Sequence, residues 1–555
     1  MVFIAGFSTL SNAQSARVSE KTDTLLMYQD DITISFLKSH LSILAADSME
    51  GRETALPGQK KAARYLAGQY RKMGLRPMGD NGTYFQHFNV NATKTDSVVF
   101  TTYMLRDGSR IKLDRSVTSR HSSGHYIRAF GRTDTLQGDI VFAGFGVDDS
   151  THNVYHLANM DLSGKWVMVF RKIPHVVNGD TLIDPTINAR TRFQKIFRKG
   201  AKGILVIPMM GNREFNETAR QLQSDFDKPS NMRLACRDNN DDSSVGFSRG
   251  YDLVSPNMAA QLLDLGNTDE LEAYRQNLLV NISSFRPKAL NSSLSQIPYS
   301  KKVTLDTENV LAFLEGSDPQ LKDQIVVMSA HYDHLGIGQP DSTGDRIFNG
   351  ADDDGSGTIG VLNIAKTFAE AAKQGNRPKR SILFLHLTGE EKGLLGSRYY
   401  SDHPVFPVDK TVADLNTDMI GRVDPLHEKE GTENYVYIIG ADIISSDLDS
   451  LIHLANSQAG QLTLSRRYNN LQDPNQFYRR SDHWNFGRLG IPFVFFFTGV
   501  HKDYHRPSDE VDKIHFKKMA KIVRTMYATA VLVANTEHPP KVDNQAFINI
   551  TKGND

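Results

Sequence analysis

A single cysteine in 555 residues, Cys236, rules out an internal disulfide framework and any cysteine-based zinc ribbon. Whatever metal the chain binds must be held by His, Asp and Glu, a donor set that suits hydrolytic centres with an open coordination position. An excess of charge is also missing: 64 Lys and Arg balance 64 Asp and Glu, and no long basic run disturbs the balance. A nucleic-acid partner drawn by a basic stripe is therefore not expected. No apolar run reaches the roughly 18–20 residues a membrane helix needs, so the chain is not expected to span a bilayer. Internal repeats and low-complexity tracts are lacking as well. What remains is an ordinary globular composition, 39% hydrophobic. Its length suits about two to four domains with large cores.

The chain opens on an apolar stretch, Val2-Phe3-Ile4-Ala5-Gly6-Phe7, followed by Ser11-Asn12-Ala13, small residues where a signal peptidase reads its site. This predicts a leader over 1–13, cut after Ala13, and a periplasmic or extracellular protein. Helices are expected over 32–48 and 58–74. In the second, Ala62, Ala63, Leu66, Ala67, Tyr70 and Met73 recur at helical spacing and Gly74 stops the run. From about residue 91 the pattern turns to short β-rich segments, with strands over 138–147, 165–171 and 203–208 and a helix over 192–199. Ser255-Pro256 opens a further helix, and residues 291–300 read as a polar connector.

Beyond residue 309 buried strands alternate with helices. Strands are expected over 324–330, 381–387, 411–415, 434–439 and 492–497, and helices over 360–372, 445–459 and 516–535. Continuous apolar strands alternating with helices predict an α/β fold, a mainly parallel sheet covered on both faces. Ligands in such folds sit at the carboxyl ends of the strands.

Polar clusters stand at those ends. His331-Tyr332-Asp333-His334 follows the first strand, and in an extended chain His331 and Asp333 point the same way, so the carboxylate can orient the imidazole. Asn349-Gly350-Ala351-Asp352-Asp353-Asp354-Gly355 precedes a helix. Thr388-Gly389-Glu390-Glu391 ends the second strand and Asn416-Thr417-Asp418 the third. After the last comes a segment with His501, Tyr504, His505 and Asp509, in which His501 reads as a surface imidazole. So many carboxylates on one sheet edge repel one another unless cations meet them. Two divalent ions bridged by one carboxylate resolve the repulsion, and a pair about 3.5–4 Å apart can activate a water and polarise a carbonyl.

HYDHLG at His331, NGADDDGSG at Asn349, TGEEKGLLGS at Thr388, LNTDMIG at Leu415 and YHRPSDE at Tyr504, in that order, resemble the co-catalytic dizinc aminopeptidases of the aminopeptidase Y and leucyl aminopeptidase group, relatives of glutamate carboxypeptidase. The resemblance covers about 32–90 and 309–535. It implies a mixed, mainly parallel zinc-peptidase sheet and two Zn2+ per chain. His331 and Asp418 would hold one ion, Glu391 and His505 the other, and Asp353 would bridge them. Glu390 would be the general acid/base and Asp333 the carboxylate behind His331, with a cis peptide at Asp353–Asp354. Tyr504 would donate to the oxyanion, a packed core tyrosine being the alternative. Arg480-Ser481-Asp482-His483 is similar to a pocket-lining segment, which puts His483 and Arg480 at the substrate. The expected division is a leader (1–13), a peptidase domain in two segments (24–90 and 301–540), an inserted β-rich α+β domain similar to the protease-associated domain (91–300), and a tail (541–555).

The expected activity is removal of N-terminal residues from peptides. Three other readings share the motifs: a carboxypeptidase or dipeptidase, with Arg479 and Arg480 holding a substrate carboxylate; a single-zinc glutaminyl cyclase; and a receptor-like binding module, which would have lost ligands that this chain retains. Other signatures fail. Gly431 stands where His427-Glu428 would need a second histidine, and three aspartates beside Gly355, Gly357 and Gly360 would repel a pyrophosphate. Ser248 has the nucleophile-elbow spacing without the buried strand. Oligomeric state is not legible.

Overall fold

Strand residues alternate between two faces, and in the central strands of each unit both faces are apolar, so those strands feed two cores. The computed structural model describes residues 20–117, 125–128, 134–209, 211–218, 228–237 and 251–551. The leader expected over 1–13 and Ser248 lie outside the described residues. Contacts divide the chain into two units, 1–88 with 306–555, and 89–305.

In the first unit the sheet is built from β1, the end of Lys288–Leu314, with β2 (Ile325–His331), β3 (Ser381–Leu387), β4 (Thr411–Thr417), β5 (Tyr435–Gly440), β6 (Thr463–Ser465) and β7 (Phe493–Phe497). Their order is β6-β5-β7-β4-β2-β3-β1. Pairs β3/β2, β2/β4, β4/β7 and β5/β6 are parallel, and β1/β3 and β5/β7 antiparallel, which makes the sheet mixed and mainly parallel. Val326, Met328 and Ala330 of β2 join the core under helices Ile34–Leu44, Pro57–Met73, Gly357–Lys373 and Phe516–Asn535. Ile325 and Val327 face the other way, onto Tyr400 and Phe486. All seven β2 residues are buried, so its carboxyl end delivers His331 to a site already desolvated on both sides.

In the second unit Leu136–Phe142, Trp166–Phe170, Gly203–Ile207 and Asp252–Val254 pair in parallel in that order. Trp166, Met168 and Phe170 enter one core while Val167 and Val169 enter the other. A long antiparallel hairpin pairs residues of Phe85–Arg106 with Ser109–Val117. Residues 291–300, expected as a connector, belong instead to the strand Lys288–Leu314. Its buried face carries Ser292 and Gln296 beside Leu290 and Leu294, so the apolar alternation is broken. Gln296 Nε2 donates to Asp252 Oδ2 at 2.9 Å, which makes its burial tolerable. Past residue 540, Gln545–Thr551 is helical and Phe547 packs on Ile444 and Phe493. Among the described residues no helix is long and apolar enough to cross a membrane.

Candidate metal centre

The carboxyl ends of β2, β3 and β4 and two loops converge on one buried cluster. His331 Nε2 lies 3.3 Å from Asp353 Oδ1, 3.5 Å from Asp418 Oδ1 and 3.9 Å from Glu390 Oε2. On the other side of Asp353, His505 Nε2 stands 3.1 Å from Oδ2 and 3.3 Å from Glu391 Oε2. His331, Asp353, Glu390, Glu391, Asp418 and His505 are thus brought together. His331 Nε2, Asp353 Oδ2 and Asp418 Oδ1 are buried without a hydrogen-bond partner. Unpartnered atoms of one imidazole and two carboxylates, with His505 and Glu391 beside them, are what a pair of zinc ions would satisfy.

The two aspartates beside Asp353 fasten another loop. Asp352 Oδ1 accepts from the Gly421 amide at 2.6 Å, Asp354 Oδ1 from Met419 at 3.1 Å, and Ser356 Oγ from Ile420 at 2.9 Å. That grip holds the segment after Asp418, where Met419 takes a left-handed φ of 56°. Asp509 Oδ2 accepts from the amides of Asp352 and Asp353 at 3.0 and 3.1 Å. The Asp353–Asp354 peptide is cis.

Asp333 lies behind His331, but it is its main-chain oxygen that stands 3.1 Å from His331 Nδ1, with Oδ1 at 3.8 Å. The carboxylate is otherwise engaged: Thr54 Oγ1 donates to Oδ2 at 2.7 Å and the Glu390 amide to Oδ1 at 3.2 Å. It therefore ties the His331 loop to the Glu390 loop.

Burial sets the electrostatics. It pushes the Glu390 carboxyl well above the usual carboxylate range, with the Glu391 and Asp418 charges adding and His331 opposing. Burial likewise raises Asp354 well above its ordinary value, and brings Asp482 up to about 7. Against the same burial and the Asp353 charge, hydrogen bonds from His334 and His505 bring Glu391 down to about 2.

Several residues at the site carried no signal in the sequence reading. Arg52 is fully buried, and its guanidinium donates to the main-chain oxygens of Tyr332, Leu44, Asn349 and Gly350 at 2.6–3.0 Å. It joins the His331 loop to the Asp353 loop. Glu50, Gly51 and Arg52 are consecutive left-handed residues, and a Cβ at Gly51 would collide with the Gly336 oxygen. Each such non-glycine costs about 1–3 kcal/mol and persists where its surroundings dictate it. Arg52→Ala is expected to destabilise the protein by at least about 3 kcal/mol, because buried carbonyls lose a charged donor; the urea unfolding midpoint of the zinc-free protein measures it. His334 is the other addition: its Nδ1 is 2.7 Å from Glu391 Oε1.

A model of peptidase family M28 matches residues 309–530, the stretch that supplies every one of these ligand candidates. This segment of the chain is similar to peptidase family M28. Among relatives, a probable leucine aminopeptidase 2 of Aspergillus oryzae is 31% identical over 209 residues, 36% of this chain and 35% of the relative. Aminopeptidase YwaD of Bacillus subtilis is 24% identical over 377 residues, 65% of this chain and 69% of the relative. A vacuolar membrane protease of Tuber melanosporum is 35% identical over 104 residues, only 10% of its length. The chain thus spans about a third or less of the length of these two fungal relatives. The fold matches the solved aminopeptidase from Aneurinibacillus sp. strain AM-1, with a TM-score of 0.52 at 17% identity, over 94% of this chain and 98% of that one. A zinc aminopeptidase from Bacillus subtilis gives 0.50, also at 17%, over 92% and 98%.

Around this cluster the substrate-side candidates divide. Tyr504 is half-buried, its ring stacked on His505 at 3.8 Å between centroids. Burial raises its hydroxyl pKa, with Asp353, Glu391 and Glu390 adding. Arg480 is exposed, its guanidinium 4.9 Å above the Phe477 ring. His483, expected on the pocket wall, is instead fully buried between Phe493 and Phe495, with centroids at 4.6 and 4.7 Å. Burial favours the neutral ring and lowers its pKa to about 3. His501, expected at the surface, is also buried, with Nε2 3.4 Å from Asp352 Oδ2. A separate grouping of His87, Asp306 and Glu308 already holds a cation, since Lys60 pairs with both carboxylates.

Proposed function

We propose that this chain is a zinc-dependent aminopeptidase that removes N-terminal residues from peptides. The observation that carries the reading is the buried cluster in which Asp353 turns one oxygen to His331 and the other to His505, in a segment similar to peptidase family M28. His331 and Asp418 would hold one zinc, Glu391 and His505 the second, and Asp353 both. Zinc in such a site supplies Lewis acidity, which acidifies water and polarises the carbonyl under attack.

The protein's own groups do the rest. Glu390 sits on the His331 side of the cluster, and burial raises its pKa well above the usual carboxylate range. A carboxyl so placed can take a proton from the attacking water and return it to the leaving amine, a contribution worth about 10²–10⁴-fold. Tyr504, protonated at any working pH, can donate to the oxygen that gains charge. The carboxylate-rich surroundings suit a substrate's α-ammonium. Residues 24–90 and 301–540 would form the peptidase domain with 91–300 as its insert, and the apolar leader ending at Ala13 supports export.

Peptides with free and blocked N-termini test the activity. The free peptide should be cleaved stepwise from its amino end and the blocked one left intact. Equal cleavage of both would exclude an aminopeptidase, and release from the carboxyl end would favour a carboxypeptidase.

A further inference from the structure

We propose that His334 is a positioning residue for Glu391, fixing one carboxylate oxygen so that the other is presented to one of the two zinc positions. The inference rests on the zinc reading above. Distances in the cluster fall into two classes. Donors that share a tetrahedral zinc at about 2.0–2.2 Å stand about 3.3–3.6 Å apart. His331 Nε2 to Asp353 Oδ1 and to Asp418 Oδ1, at 3.3 and 3.5 Å, belong to that class, and so does His505 Nε2 to Glu391 Oε2, at 3.3 Å, while His505 Nε2 to Asp353 Oδ2 is shorter, at 3.1 Å. The 2.7 Å between His334 Nδ1 and Glu391 Oε1 is a hydrogen bond, and Nδ1 to Asp353 Oδ2 is longer, at 3.8 Å.

The two imidazoles therefore divide Glu391 between them: His505 faces Oε2 and His334 holds Oε1. An ionised carboxylate only accepts, so His334 carries its proton on Nδ1, and that nitrogen has no lone pair for a metal. The ring is fully buried and its frame is rigid. Its main-chain amide donates to the Arg52 oxygen at 3.1 Å, and any Cβ at Gly350, itself left-handed with φ 54°, would overlap the ring. A carboxylate ligand left free to rotate would lose affinity, and partners of this kind are worth about 10–100-fold in metal binding or activity.

Zinc titration of the metal-free protein against a competing chromophoric chelator tests this with His334→Ala and His334→Asn. Asparagine places an amide N–H close to where Nδ1 donates and offers no imidazole. Expected is a loss of about 10–100-fold at one position in His334→Ala, no change at the other, and recovery of most of it in His334→Asn. Unaltered affinity in both variants would overturn the proposal, as would complete loss of one zinc in both, which would make His334 a ligand. Wild-type protein that takes up no zinc would remove the zinc reading itself, whereas either of the other two results leaves that reading standing.

Discussion

Glu390→Gln is expected to keep its zinc and lose about 10²–10⁴-fold in kcat with little change in KM. Glutamine matches glutamate in shape but cannot hold the transferred proton. The main chain at this position is anchored independently, because the Glu390 amide donates to Asp333 and Asp333 is held by Thr54. The loop should therefore stay in place when the side chain changes. Steady-state kinetics with metal analysis of the same preparation separates the outcomes. Turnover close to wild type would remove Glu390 from the chemistry, and a variant short of zinc would place it among the ligands.

Asp353→Asn is expected to weaken both zinc positions together, by more than about 100-fold, since even an outer partner of a ligand is worth about 10–100-fold. Its two oxygens face different partners, His331 on one side and His505 on the other, so an amide nitrogen in place of either oxygen removes a donor at one ion and the bridging charge at both. The backbone has its own anchor in Asp509. Asp354→Asn should be far milder, because an asparagine oxygen can still accept from the Met419 and Gly357 amides. Calorimetric zinc titration of both variants distinguishes a bridging ligand from a neighbour that merely fastens a loop. Equal, small effects in the two would contradict the assignment.

Much of this was legible in the sequence because buried parallel strands read as unbroken apolar runs. QIVVMSA and SILFLHL announce β2 and β3 and point to the polar residues that follow them. The antiparallel strand Lys288–Leu314 was not legible, since Ser292 and Gln296 occupy its buried face. His501 and His505 stand four residues apart in one loop. Only the fold shows that the first is buried against Asp352 while the second, about a third exposed, reaches Asp353. Arg52 acts across some three hundred residues, on the carbonyls of Tyr332, Asn349 and Gly350, and local pattern carries no trace of such a contact. His334 escaped notice for a local reason. Strand geometry relates i and i+2, as it does His331 and Asp333, whereas His334 lies past the strand end, where its direction is set by the turn and by the Arg52 oxygen.

The count of zinc bound by the folded chain tests the account most directly. Metal analysis after equilibration with zinc should find about two ions per chain, activity should vanish on chelation, and it should return with added zinc. A folded protein that binds no zinc, or whose peptidase activity survives complete removal of metal, would contradict it.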